Sequence, residues 1–66
     1  MDITYYETVL PMDEAGDVRK IEKWIETARD GSEMICLQDV LCRGIIARGP
    51  TVKDAEYELS FQLRRI

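Results

Sequence analysis

Val18-Arg19-Lys20-Ile21-Glu22-Lys23-Trp24-Ile25-Glu26-Thr27-Ala28-Arg29 is the stretch on which the reading of this chain turns. Its apolar residues Val18, Ile21, Ile25 and Ala28 recur at spacings of three and four, the pattern of one helical face. Arg19, Lys20, Glu22, Lys23, Glu26 and Arg29 fill the other positions. Arg19–Glu22, Lys23–Glu26 and Glu26–Arg29 are opposite charges three apart, a weak support for a helix. Asp13 or Asp17 stands where a capping carboxylate belongs, and Gly31 where a left-handed residue closes a helix. The expectation is an amphipathic helix with Ile21 and Ile25 in the core and Trp24 at the rim of the stripe.

Upstream, Ile3-Thr4-Tyr5-Tyr6-Glu7-Thr8-Val9-Leu10 is β-branched and aromatic and stops at Pro11, which reads as a strand. Ile3, Tyr5, Glu7 and Val9 share one of its faces, and Tyr6 and Leu10 the other. Downstream, residues 32–42 admit two readings. With Ser32 as cap and Gly44 as stop they form a second helix; with Met34-Ile35-Cys36-Leu37 as a buried run they form a strand, followed by a bulge or turn at Gln38-Asp39. The β-branched and cysteine content favours the strand. Gly44 to Arg48 reads as a further strand ending at Gly49-Pro50. In the last segment Tyr57, Leu59, Phe61 and Leu63 alternate with Glu56, Glu58, Ser60, Gln62 and Arg64, a strand pattern. Segments 43–48 and 56–65 then pair as a hairpin. The expected fold is a small two-layer α+β domain, one amphipathic helix on an antiparallel sheet, in the order β-α-β-β. A single domain spans residues 1–66.

Sixty-six residues support only a thin core. Thirteen acids against nine bases leave a net charge of −4, and histidine is absent. Residues 1–33 carry a balance of −5 and residues 34–66 of +1. No like-charge block is long enough for a disordered tail, so a solvated acidic face is expected. The start Met1-Asp2-Ile3-Thr4 lacks a basic region ahead of an apolar stretch, so no signal peptide is expected. No apolar run reaches the ~18 residues of a membrane helix. The expected location is the cytoplasm.

Without histidine, a Ser–His or Cys–His nucleophile pair is ruled out, along with the usual neutral-pH acid–base group. Glu22 with Glu26, and Glu56 with Glu58, are carboxylate pairs on faces expected to be wet, where their acidities are not driven apart. A domain of this size also leaves little room for a pocket of ~300 Å³ or more. Cys36 and Cys42 are too few for a disulfide framework or a zinc site, and read as small buried hydrophobes. No metal, cofactor or catalysis is expected.

What remains is binding. Arg43, Arg48, Lys53, Arg64 and Arg65, with Tyr5 and Tyr6 to stack bases, are the candidates for a nucleic-acid surface, and the net charge opposes it. Trp, Tyr and Arg are the residues that dominate protein interfaces, which singles out Tyr5, Tyr6, Trp24 and Arg48, with Glu22 and Glu26 beside them. The expected activity is protein binding without catalysis, of the kind supplied by accessory factors and inhibitors in short phage or mobile-element reading frames. The alternative is a self-associating subunit. Leu63 and Ile66, apolar to the end of a terminal strand, and the apolar run 34–37 both ask for cover, which a two-fold homodimer would supply.

Overall fold

A computed structural model describes residues 2–65. Four strands, β1 (Thr4–Val9), β2 (Val18–Thr27), β3 (Glu33–Asp39) and β4 (Ile46–Gly49), precede one helix, α1 (Val52–Leu63). The strands form one antiparallel sheet in the order β1-β2-β3-β4, a meander in which each strand pairs with the next. The helix packs on the β3 and β4 side. The expected architecture, one helix on an antiparallel sheet, is therefore present; of the segment 32–42, Glu33–Asp39 is a strand, and the turn follows Asp39 instead of falling at Gln38-Asp39.

The order of elements differs from β-α-β-β. The stretch 18–29 is not a helix; residues 18–27 are the longest strand, and the helix is the segment read as the terminal strand. Local pattern lost to tertiary context at 18–27. That segment is central in the sheet, paired with β1 at Thr4↔Lys23 through Val9↔Val18 and with β3 at Ile21↔Asp39 through Thr27↔Glu33. Residues 18–23 thus bond to β1 and 21–27 to β3, and Val18, Trp24, Ile25 and Thr27 suit a pleated surface. Ile21 is fully buried as expected, but Ile25 is half exposed, and Trp24 is buried rather than at a rim.

At the other end, Thr51 caps α1: its Oγ1 accepts from the Asp54 N–H at 3.1 Å and donates to Asp54 Oδ2 at 3.0 Å. This Thr-x-x-Asp pair has the spacing of a capping box ahead of an apolar stripe, with the Asp54 carboxylate bonded to the Thr51 hydroxyl. Ala55 and Leu59, four apart, are fully buried on the sheet, with Val52 and Leu63 half-buried on the same side. Tyr57 and Phe61, expected to face the core with Leu59, are exposed on the far side of the helix. The hairpin expected between 43–48 and 56–65 is absent. Ile66 lies outside the described residues.

The core is Leu10, Ile21, Leu37, Ala47, Ala55 and Leu59, with Tyr6, Ile35, Ile45 and Leu63 packed around it. Gly49 permits the close approach of β4 and α1, since a Cβ there would sit 2.8 Å from the Ala55 amide nitrogen. Gly31 does adopt a left-handed conformation, φ +88°, but in the β2–β3 turn rather than at a helix end. There Asp30 Oδ1 accepts from Ser32 N–H and Oγ–H. Asp13 and Asp17 cap no helix; Asp13 Oδ1 accepts from the Ala15 N–H in the β1–β2 loop. Asp39, fully buried, holds the β3–β4 turn by accepting from the Leu41 N–H at 2.7 Å, and its Oδ2 accepts from Arg19 Nη1 at 2.7 Å.

Candidate functional site

Side chains of directly paired residues share a face of a sheet, and alternate residues along a strand return to it. Tyr6, Ile21, Leu37 and Ala47 therefore lie on the helix side. The opposite face, which no helix covers, carries Tyr5, Glu7 and Val9 from β1, Lys20, Glu22, Trp24 and Glu26 from β2, Met34, Cys36 and Gln38 from β3, and Ile46 and Arg48 from β4. Five of the six expected binding residues, Tyr5, Glu22, Trp24, Glu26 and Arg48, are brought together there. Tyr6 is not. It points to the helix side, where its hydroxyl donates to Glu56 Oε2 at 2.7 Å. Burial, reinforced by that carboxylate, holds its phenol well above the ordinary tyrosine pKa.

At the middle of the open face, Trp24, Cys36 and Arg48 form one cross-strand row. Trp24 Nε1 donates to Glu26 Oε2 at 3.2 Å, and Arg48 Nε donates to Glu26 Oε1 at 3.1 Å. Glu26 thus ties the indole to the guanidinium. The Arg48 bond first, and the Trp24 bond second, hold its carboxyl below the usual glutamate range. Cys36 is fully buried beneath this arrangement, and burial pushes its thiol pKa up. It is a packed hydrophobe rather than a nucleophile. Cys42 is half-buried in the β3–β4 turn, and both thiols are free.

Glu22, only 4% exposed, sits between Tyr5 and Gln38, and its Oε1 lies 3.0 Å from Arg43 Nη2. The contact is an ion pair without an aligned hydrogen bond. Toward β1 the face becomes apolar. Tyr5 is 55% exposed, with Lys20 Nζ 5.7 Å from its ring centroid, and Val9 pairs with the still more exposed Val18. The exposed Ile3 shares the parity of Tyr5. Residues Ile3, Val9 and Val18 are not among the expected binding residues; the signal for Ile3 and Val9 is the alternation of the first segment, and Val18 joins them through its pairing with Val9.

The arginines do not gather into a basic surface: Arg43 and Arg48 face carboxylates on the open side, while Arg64 and Arg65 follow the helix. Open surface hollows of about 260, 430 and 310 Å³ occur. The first, between the 10–17 loop and the end of α1, is lined by Leu10, Met12, Asp13, Arg19, Ser60 and Leu63. There Asp13 Oδ2 lies 3.8 Å from Arg19 Nε and accepts no hydrogen bond. Among the described residues no group of three or more metal-ligating side chains is assembled, and no helix is long and apolar enough to cross a membrane.

Fold and face together define a small α+β domain with one covered and one uncovered side of its sheet. No family model, curated protein or solved structure matches this chain.

Proposed function

We propose that the chain is a non-enzymatic protein-binding module whose partner docks on the helix-free face of the sheet. The observation that carries this reading is the gathering of Tyr5, Trp24 and Arg48 on one uncovered face, continued by the exposed Val9 and Val18. Aromatic and arginine anchors within an apolar patch and a charged rim are the composition of a protein interface. The partner this face fits is another protein, with an apolar centre to cover Tyr5, Val9 and Val18. The net charge of −4 favours a basic rim around that centre and disfavours phosphate backbones. An accessory factor or inhibitor acting in the cytoplasm is the role this reading assigns.

Affinity purification from the native host, with mass spectrometry and a nucleic-acid assay, tests the proposal. A captured protein should be lost from the Tyr5→Ala/Val18→Ala variant, since an anchor residue contributes ~2 kcal/mol or more. It should persist with Tyr57→Ala/Phe61→Ala, which alters the exposed side of α1. Capture that ignores the sheet-face variant, or capture of nucleic acid alone, overturns the reading. Self-association is the second reading. Its original motive has gone, because the C-terminal segment is a helix and Cys36 and Leu37 are buried within the chain. A different observation, at the edge of the sheet, favours it.

A further inference from the structure

The two edges of the sheet are unlike. β4 is four residues long and runs at once into Pro50 and the helix packed beside it. β1 is six residues long, has its backbone against β2 alone while Tyr6 reaches Glu56 of α1, and contains neither lysine, proline nor glycine. Natural sheets blunt their edges with such residues, with bulges or with covering elements. β1 has a single charge, Glu7.

The hydrogen-bond phase of the sheet shows what this edge presents. The Val40 N–H donates to Lys20 C=O at 3.1 Å and the Ala28 N–H to Ser32 C=O at 2.8 Å. Together with the β2–β3 register, these bonds assign the even-numbered residues of β2 to bonding with β3. Its odd-numbered residues therefore bond to β1, where their partners are Thr4, Tyr6 and Thr8. Ile3, Tyr5, Glu7 and Val9 are left with N–H and C=O groups directed at the free edge.

We infer that a second copy of this chain occupies that edge, β1 against β1 in antiparallel two-fold symmetry centred on Tyr6, joining two four-stranded sheets into one. Opposed residues must share a face, so the dyad falls on a residue. Centred on Glu7, it would set two glutamates against each other. Centred on Tyr5, it would set Ile3 against Glu7 and leave Val9 without a partner among the described residues. Centred on Tyr6, it pairs Ile3 with Val9, Tyr5 with Glu7 and Thr4 with Thr8, and every outward backbone group finds a partner.

Side chains agree with this register. On the open face the Val18–Val9 pair continues into Ile3 of the second copy, an apolar row repeated at both ends of the junction. Glu7, paired on its other side with Lys20, meets Tyr5 rather than a like charge. On the helix side the Tyr6 hydroxyl is held by Glu56 of its own chain. Pairing also merges the two uncovered faces, so the exposed Ile3 and Tyr5 of one copy extend the face of the other.

Sedimentation equilibrium of the full chain from about 1 to about 200 μM, with amide hydrogen exchange at both ends of that range, tests the inference. The expected result is a reversible dimer in which the amides of Tyr5, Glu7 and Val9 exchange slowly only when concentrated. Tyr5→Pro removes an outward donor and leaves the β1–β2 bonds in place; it should weaken dimerisation about tenfold or more with the helical circular dichroism unchanged. Glu7→Lys, an edge lysine beside Lys20, should weaken it too and serves if the proline variant does not fold. A monomer throughout, or a dimer whose Tyr5, Glu7 and Val9 amides remain fast, overturns the inference. Either result leaves binding of another protein on the open face standing. Loss of that capture, with the edge amides still protected, would instead remove the binding module and leave the dimer.

Discussion

The two faces of the sheet bury side chains by different means. On the helix side Ile21, Leu37 and Ala47 lie under Ala55 and Leu59, all without exposure, and the cover is a secondary-structure element. On the other side Trp24, Cys36 and Glu22 are also buried, yet no element covers them. Their cover is the long side chains around them: Arg48 and Glu26 beside Trp24 and Cys36, and Arg43 against Glu22. Such chains lay their apolar stems over a hydrophobic surface and keep their heads in water. A helix cover is cooperative and fixed by the backbone, whereas a cover of rotamers can be displaced by a partner. One face therefore holds the fold together and the other remains available.

The largest effect should come from the covered face. Leu37→Ala leaves a cavity that neighbouring backbone cannot fill and should cost about 3 kcal/mol in urea denaturation, near the upper end of what a thin core tolerates. A loss under about 1 kcal/mol would mean that the helix does not seal this face.

Trp24→Ala sharpens the contrast, because the indole is buried under side chains that relax into the space. The expected cost is about 2 kcal/mol, below that of Leu37→Ala although more atoms are removed. Ile25→Asp, four residues from the core position Ile21 but half exposed, should fold with a loss of about 1 kcal/mol or less. Unfolding of Ile25→Asp would restore the helical reading of 18–29.

The smallest effect is the dependence of the open face on pH. Glu26 has its folded-state pKa lowered, so its bonds to Arg48 and Trp24 contribute stability above the ordinary glutamate pKa. That contribution disappears as pH falls through the folded value. Thermal unfolding of Glu26→Gln should lie slightly below that of the parent at pH ~7 and converge with it at pH ~3. Parallel curves over the whole range would show that the carboxylate is solvated rather than paired.

How the elements were read depends on spacings of four residues, which satisfy two periods at once. Ile21 and Ile25 lie on one face of a helix, and equally on one face of a strand with Lys23 between them. Leu59 and Leu63 are likewise compatible with both. Glu22 and Glu26 share a face on either reading, so their association survived the wrong assignment. Trp24 joins them only in a strand, where every second residue returns to the same side. One local signal separates the cases: Thr51 followed by Asp54, an N-cap pair ahead of Ala55 and Leu59.

By itself the sequence determined that a helix packs on an antiparallel sheet, that 3–10 carries a strand with Tyr5 and Tyr6 on opposite sides, and that Ile21 and Leu59 are core, while for 32–42 it favoured a strand without separating it from a second helix. These follow from composition, β-branching and turn residues, which act within a few residues of chain. Only the tertiary structure decided that 18–27 is the strand and 52–63 the helix. Residues 18–23 pair with β1 and 21–27 with β3, two neighbours that no local pattern can see. It also decided that Trp24 is buried, Ile25 exposed and Tyr6 turned to the helix, because the side of a sheet to which a residue belongs is set by pairing register, and register is a property of strands far apart in sequence.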